Sequence, residues 1–109
     1  RSKTSYSDTT VLSIVTGSVA VDASLSNNFE ITANANFTLA NPTNLVKGMI
    51  INFEIIQDAT GSRLITYGTM YKFAIDSDKS LSTSASSRDF MSCYYNGTNL
   101  LCSLGKRFQ

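Results

Sequence analysis

The chain of 109 residues contains no histidine and no tryptophan, only one proline, and few charged side chains, which make up 16% of it. The missing histidine removes the commonest general base and the commonest metal ligand. Nine basic and eight acidic residues leave a net charge of +1 without a basic cluster, so a nucleic-acid partner is not expected. No apolar run approaches the roughly 18 residues of a membrane span, so no membrane partner is expected either.

Hydroxyl side chains are abundant, since serine and threonine make up about a quarter of the chain. Threonine suits pleated strands, and serine suits turns. Apolar and polar residues alternate in short segments, most clearly in residues 29–33 and 49–56, and no segment has a convincing helical period. About seven to nine such segments, separated by turn residues, predict an all-β fold, namely a jelly-roll-like antiparallel β-sandwich.

The length is that of one ordinary domain. Residues 1–10 carry little that could be buried and predict a flexible N-terminal arm, which leaves residues 11–109 as the single β-sandwich domain. The most apolar stretch, residues 49–56, predicts a central strand. Residues 33–36, ANAN, predict a bend or a bulge. Residues 76–87 predict a polar surface loop with Leu81 as its anchor.

Two stretches carry turn chemistry. In residues 57–63, QDATGSR, we expect Asp58 to cap a short hairpin loop and Gly61 to supply a positive φ, with Arg63 packed across the hairpin or paired with an acid. The competing interpretation is a polar pocket for a sugar or a carboxylate. The dipeptide Asn96-Gly97 lies between two β-rich runs and predicts the clearest hairpin of the chain.

No constellation for catalysis, cofactor binding or metal binding is evident. The only acids close in sequence, Asp76 and Asp78, lie in the serine-rich loop and are too few for a calcium site. We therefore expect a protein that is not an enzyme. The candidates for contact with a glycan or a neighbouring subunit are exposed aromatic and basic residues, and Tyr94 and Tyr95 must point to opposite faces of one strand. These candidates are Tyr67, Tyr71, Tyr94, Tyr95 and Arg63.

The order of segments from residue 16 to residue 108 resembles a β-module of tailed-phage virion proteins, found at the ends of tail fibres and as small stand-alone structural proteins. The chain differs from that pattern at Tyr67 and at Leu100 or Leu101, where such modules usually carry tryptophan. The features that carry the resemblance are Val-Asp at 21–22, Asn-Phe at 28–29, Asn-Pro at 41–42, residues 57–63, Leu-Ser-Thr at 81–83, Asp89, and Gly-Lys-Arg-Phe at 105–108.

The resemblance implies a non-enzymatic component of the virion, assembled in the host cytoplasm and repeated by symmetry. We expect a capsid decoration or a tail-fibre module that binds copies of itself, a trimer being one such assembly, and other virion proteins. The lack of a stalk, a collagen-like repeat or heptads favours a stand-alone surface protein. The alternative function is an adhesin module that recognises a host glycan.

The two cysteines, Cys93 and Cys102, flank the predicted last hairpin. A two-residue loop would place them diagonally on one face, whereas a four-residue loop would place them directly opposite each other. A disulfide is therefore compatible with only the second geometry. Reduced thiols are the expected state, also because the resemblance implies assembly in a reducing cytoplasm.

Overall fold

A computed structural model describes residues 9–108, which form nine strands and no helix. Six strands form a large sheet in the order β1-β3-β5-β8-β9-β7, and three form a small sheet in the order β2-β4-β6. Within this part of the chain there is no helix with the length and hydropathy needed to cross a bilayer. The strands are β1 Thr10–Leu12, β2 Ser18–Val19, β3 Asn28–Ala33, β4 Phe37–Leu39, β5 Ile50–Gln57, β6 Ile65–Tyr67, β7 Tyr71–Phe73, β8 Arg88–Tyr95 and β9 Leu100–Phe108.

The first six strands alternate between the two sheets. Each odd-numbered strand, β1, β3 and β5, lies in the large sheet, and each even-numbered strand that follows it lies in the small sheet. Successive strands in each sheet pair in parallel, so Thr10, Phe29 and Phe53 lie side by side in register. The chain therefore makes three stacked coils, which we call the coil stack.

The last strands extend the large sheet beyond the coil stack. β8 pairs antiparallel with β5, β9 pairs antiparallel with β8, and β7 pairs in parallel with β9 at the edge of the sheet. Tyr71 of β7 packs edge-on against Phe53, with ring centroids 6.3 Å apart. β7, at the far edge of the large sheet, thus packs against the aromatic core of the coil stack.

Parallel register places like side chains on top of one another in the core. Phe29 stacks on Phe53 at 5.6 Å between ring centroids, and Ile31 lies beside Ile55. On the outside of the same two strands, Asn52 donates a hydrogen bond from its side-chain amide to the Asn28 side chain at 3.0 Å. Buried residues of both sheets and of the connecting segments complete the core, including Val19, Val21, Phe37, Leu39, Ile51, Met91 and Leu100.

The all-β prediction is confirmed, but the antiparallel prediction is wrong. Five of the seven strand pairs among residues 9–108 are parallel, and the jelly-roll-like sandwich is not confirmed. The predicted hairpin around residues 58–62 is also wrong, because β5 and β6 lie in different sheets. Alternating hydrophobicity shows which face of a strand is buried, but it does not show the direction of the neighbouring strand.

Several local predictions are confirmed. β5 lies inside the large sheet with Ile51, Phe53 and Ile55 buried, and a bend separates β3 from β4. Residues 76–87 form a loop without strands, and Leu81 in it is buried. Residues 1–8 of the predicted N-terminal arm lie outside the described residues.

Candidate functional site

Residues 57–63 form a corner that leads the chain from the large sheet to the small one. The Asp58 carboxylate accepts hydrogen bonds from the backbone amides of Thr60 and Gly61 and pairs with the Arg63 guanidinium at 2.9 Å. The hydrogen bond from Arg63, followed by that from Gly61, lowers the pKa of Asp58. The polar side chains thus satisfy one another within the corner, which favours the turn interpretation over a polar pocket.

A buried polar network beside the corner holds residues 76–87 against the large sheet. Gln57 donates from its amide nitrogen to the carbonyl oxygens of Arg63 and Ser82, both at 2.9 Å. Asp89, with 2% of its surface exposed, accepts hydrogen bonds from the Ser82 amide, the Ser82 hydroxyl and the Arg107 amide. This network was not predicted from the sequence, although an aspartate at an inward position of an alternating strand was a detectable signal.

An open cleft of about 490 Å³ lies between β6, β7 and the 76–87 loop, and we call it the β6–β7 cleft. Tyr67 is half-buried in its wall, and the ring of Tyr71 is buried beneath it, with centroids 5.7 Å apart. Of these two candidates, therefore, only Tyr67 offers a ligand much surface. The lining residues are Ile65, Thr66, Tyr67, Gly68, Thr69, Tyr71, Lys72, Lys79 and Ser80.

Both tyrosine hydroxyls donate hydrogen bonds to backbone carbonyl oxygens. Desolvation raises the pKa of Tyr71 and of Tyr67 far above the usual value, and nearby Asp89 and Asp78 raise that of Tyr67 further. Both phenols are therefore protonated donors at neutral pH. Tyr67 donates to the carbonyl oxygen of Lys79 at 2.7 Å, and Tyr71 donates to that of Ala40 at 3.0 Å. The Tyr67 bond ties the 76–87 loop to β6.

Two lysines give the cleft its charge. Lys72 and Lys79 are both exposed, and the Lys79 ammonium lies over the Phe73 ring at 5.9 Å from its centroid. The neighbouring acid, Asp78, accepts hydrogen bonds from Ser80 and pairs with Lys106 at 2.9 Å. These contacts, led by the Ser80 hydroxyl and then by Lys106, lower the pKa of Asp78, so it remains ionised and paired. Neither lysine of the cleft was predicted from the sequence.

The outward face of the large sheet carries exposed apolar side chains. Ile50, Tyr94 and Leu101 lie side by side across β5, β8 and β9, with 50%, 44% and 50% of their surfaces exposed, and we call them the apolar row. Tyr95 points to the other face and packs against the core, so the two adjacent tyrosines separate as predicted. The row could have been predicted from the sequence, because β5 and β8 carry apolar residues on both faces.

A second apolar group lies near the end of the same face. Phe90 and Phe108 are both exposed and line a small cleft with Glu54 and Arg88, which form an ion pair. A Cβ atom on Gly105 would lie 2.9 Å from the Phe108 ring. The glycine thus allows this ring to lie directly on the backbone of β9.

The final hairpin has the longer of the two loops considered. Asn96 accepts hydrogen bonds from the amides of Thr98 and Asn99, Gly97 has a positive φ of 100°, and residues 96–99 join β8 to β9. This four-residue loop places Cys93 directly opposite Cys102, with their Cα atoms 4.1 Å apart. The structure joins them by a disulfide, which corrects the expectation of reduced thiols. The sequence left the loop length, and hence this geometry, open.

Groups of three or more side chains suited to binding a metal ion do not occur among residues 9–108. A family model described as "Putative phage tail fibre C-terminal domain" matches residues 8–100. No curated protein and no solved structure matches the chain significantly.

Proposed function

Because the chain belongs to the phage tail fibre C-terminal domain family and is thus a structural tail-fibre module of the virion, we propose that it is displayed at the particle surface, where it assembles with copies of itself. Its role is structural, without enzymatic activity. The apolar row on the outward face of the large sheet carries this proposal. A location on the capsid surface is the alternative, and imaging of particles distinguishes the two.

The apolar row fits an interface better than a face exposed to water. An outward face of a sheet normally carries polar side chains, as the neighbouring positions Asn52, Ser92 and Ser103 do here. Ile50, Tyr94 and Leu101 instead form one continuous patch, because paired strands lie about 4.8 Å apart. Contiguous exposed apolar surface of this kind marks sites of protein association.

A second copy of the chain is the partner that we propose for the row. Aromatic and large aliphatic side chains dominate the cores of subunit interfaces. The row supplies one tyrosine and two aliphatic residues on a regular sheet, whose backbone hydrogen bonds fix their positions. Closed cyclic symmetry would bury this patch on every copy.

Substituting Leu101→Glu should weaken self-association, because it places a charge within the proposed interface. We expect the dissociation constant to rise about 10- to 100-fold, since burying one leucine contributes about 1.5–3 kcal/mol. Sedimentation velocity over a concentration series measures this change. The matched control is Val15→Glu, which alters a valine that is 68% exposed in the β1–β2 connection. A wild type that is monomeric at every concentration, or equal effects of both variants, would contradict the proposal.

Recognition of a host surface glycan is the second candidate function, and the β6–β7 cleft favours it. The cleft combines a partly exposed aromatic ring, hydroxyl groups and two lysines. Binding sites for small ligands are concave and carry a few converging polar groups. A glycan array screened with the purified protein tests this candidate, and binding to no glycan would speak against it.

A further inference from the structure

We propose that the β6–β7 cleft binds an acidic sugar residue of a surface glycan, with Lys72 and Lys79 contacting its anionic group. This inference rests on the glycan-recognition function proposed above and names the class of ligand. Four observations support it: the pairing of the charges, the hydroxyl groups, the aromatic wall and the place of the cleft in the fold.

The first observation is that the two lysines have no acidic partner among residues 9–108. Arg63, Arg88 and Lys106 each pair with a carboxylate, whereas no carboxylate of this part of the chain lies within 4.0 Å of the Lys72 or Lys79 ammonium group. Asp78, which could neutralise Lys79, pairs with Lys106 instead. The cleft therefore presents positive charge that is not balanced by an ion pair.

The second and third observations concern the uncharged part of a sugar. Thr66, Thr69 and Ser80 line the cleft and are exposed. The Ser80 hydroxyl donates to Asp78 and the Thr69 hydroxyl accepts from Asn41, so Ser80 can still accept, and Thr69 still donate, a hydrogen bond with a saccharide hydroxyl. The Tyr67 hydroxyl donates to the Lys79 carbonyl oxygen, so the ring surface is what Tyr67 offers to a ligand. An aromatic ring suits the C–H face of a sugar, and the same hydrogen bond holds Lys79 beside it.

The fourth observation is the position of the cleft. β6 is the last strand of the small sheet and β7 is an edge strand of the large sheet, whereas β1 and β2 form the opposite edges. The cleft thus lies at the end of the coil stack away from the first coil. The cleft borders the apolar row, because Lys72 of the cleft pairs with Leu101 of the row across β7 and β9, although no residue of the row lines the cleft. Self-association through the row would therefore bring a second copy of the chain close to Lys72.

Titration of the 15N-labelled protein with four probes tests the proposal. Trigalacturonate carries carboxylates, maltotriose is its uncharged counterpart, glucose 6-phosphate carries a phosphate on a sugar, and inorganic phosphate lacks the sugar. We expect trigalacturonate or glucose 6-phosphate to shift the amide signals of residues 65–72 and 79–80, and maltotriose to shift them little. Binding should weaken when NaCl is raised from about 50 to about 300 mM, because the charges are exposed. The more effective anion identifies the acidic group.

Substitutions attribute the binding to the two lysines. Lys72→Gln and Lys79→Gln should each lower the affinity about threefold, and the double variant about tenfold, as expected for exposed charge contacts. Lys47→Gln, at an exposed lysine beside Gly97, is the control and should change nothing.

The proposal would be overturned by equal binding of maltotriose and trigalacturonate, by no shift at cleft residues with any sugar, or by unchanged affinity in the double variant. Inorganic phosphate that binds as tightly as glucose 6-phosphate would also reject a sugar site. If neutral glycans bind on the array and the lysine substitutions do not weaken that binding, the acidic ligand is rejected, but glycan recognition is not. Sedimentation of the Lys79→Gln variant reports separately on self-assembly, because Lys79 lies in the 76–87 loop, whereas Lys72 lies beside Leu101.

Discussion

Substituting Asp89→Asn should lower the free energy of unfolding by about 2–4 kcal/mol, although the two side chains have nearly the same shape. Both carboxylate oxygens of Asp89 accept hydrogen bonds: Oδ2 from the Ser82 amide at 2.6 Å, and Oδ1 from the Ser82 hydroxyl at 2.7 Å and the Arg107 amide at 3.0 Å. An asparagine has one oxygen and one NH2 group. In either orientation, one backbone N–H therefore loses its acceptor and faces another donor.

Urea denaturation of the variant measures this effect, and Asp76→Asn is the matched control. Asp76 lies exposed in the same loop and has a φ of 68°, which asparagine tolerates. We expect the control to change stability by less than about 0.5 kcal/mol. Equal stability of Asp89→Asn and the wild type would show that the buried network does not hold the loop. Because Lys79 and Ser80 lie in this loop, Asp89→Asn should also weaken any binding in the β6–β7 cleft.

Substituting Gly61→Ala should destabilise the protein by about 2–4 kcal/mol, because the methyl group meets two obstacles. Gly61 has a φ of 75°, which L residues rarely adopt. A Cβ atom there would lie 2.6 Å from the Thr83 carbonyl oxygen and 2.9 Å from the Ala85 amide nitrogen. Both obstacles are backbone atoms, so relief requires the corner and the 76–87 loop to move apart.

Gly17→Ala separates the two causes, since Gly17 has a φ of 74° but no atom within 4 Å of the place that the added methyl group would take. The control thus carries the conformational strain without the collision and should cost about 1 kcal/mol. Thermal or urea denaturation of both variants gives the comparison. A Gly61→Ala variant no less stable than Gly17→Ala would mean that the corner does not pack tightly against the loop.

The sequence predicted local geometry well because the residues involved act over short distances. The alternation in residues 49–56 correctly predicted the strand β5, and Asp58 caps its turn as its position implied. The Asn96-Gly97 hairpin was equally predictable, since Asn96 accepts hydrogen bonds from its own loop. In each case, the signal and the structure that it specifies lie within a few residues of each other.

The relation between strands could not be predicted in the same way. After β5 ends at Gln57, the chain can fold back as a hairpin beside β5 or cross to another sheet. Both outcomes bury the same residues. The choice depends on contacts between distant residues, such as the pairing of Phe37 in β4 with Ile65 in β6. The parallel stacking of whole coils could therefore not be predicted from a local pattern. The same holds for the position of Lys72 and Lys79 in one cleft.

The coil stack suggests how one small module could combine assembly and recognition. The apolar row lies on the outward face of the large sheet, whereas the cleft lies at the end marked by β6 and β7. The row and the cleft adjoin where Leu101 of β9 pairs with Lys72 of β7, so copies that associate through their rows would lie close to the cleft. The structural function and the candidate binding function thus use neighbouring surfaces of the same fold.

Localisation on intact particles tests the central claim most directly. Gold-labelled antibody fragments raised against the purified protein would be bound to particles of the phage that encodes it and imaged by cryo-electron microscopy. The account predicts label at the ends of tail fibres, with none on particles that lack the protein. Label confined to the capsid surface, or particles without any label, would contradict it.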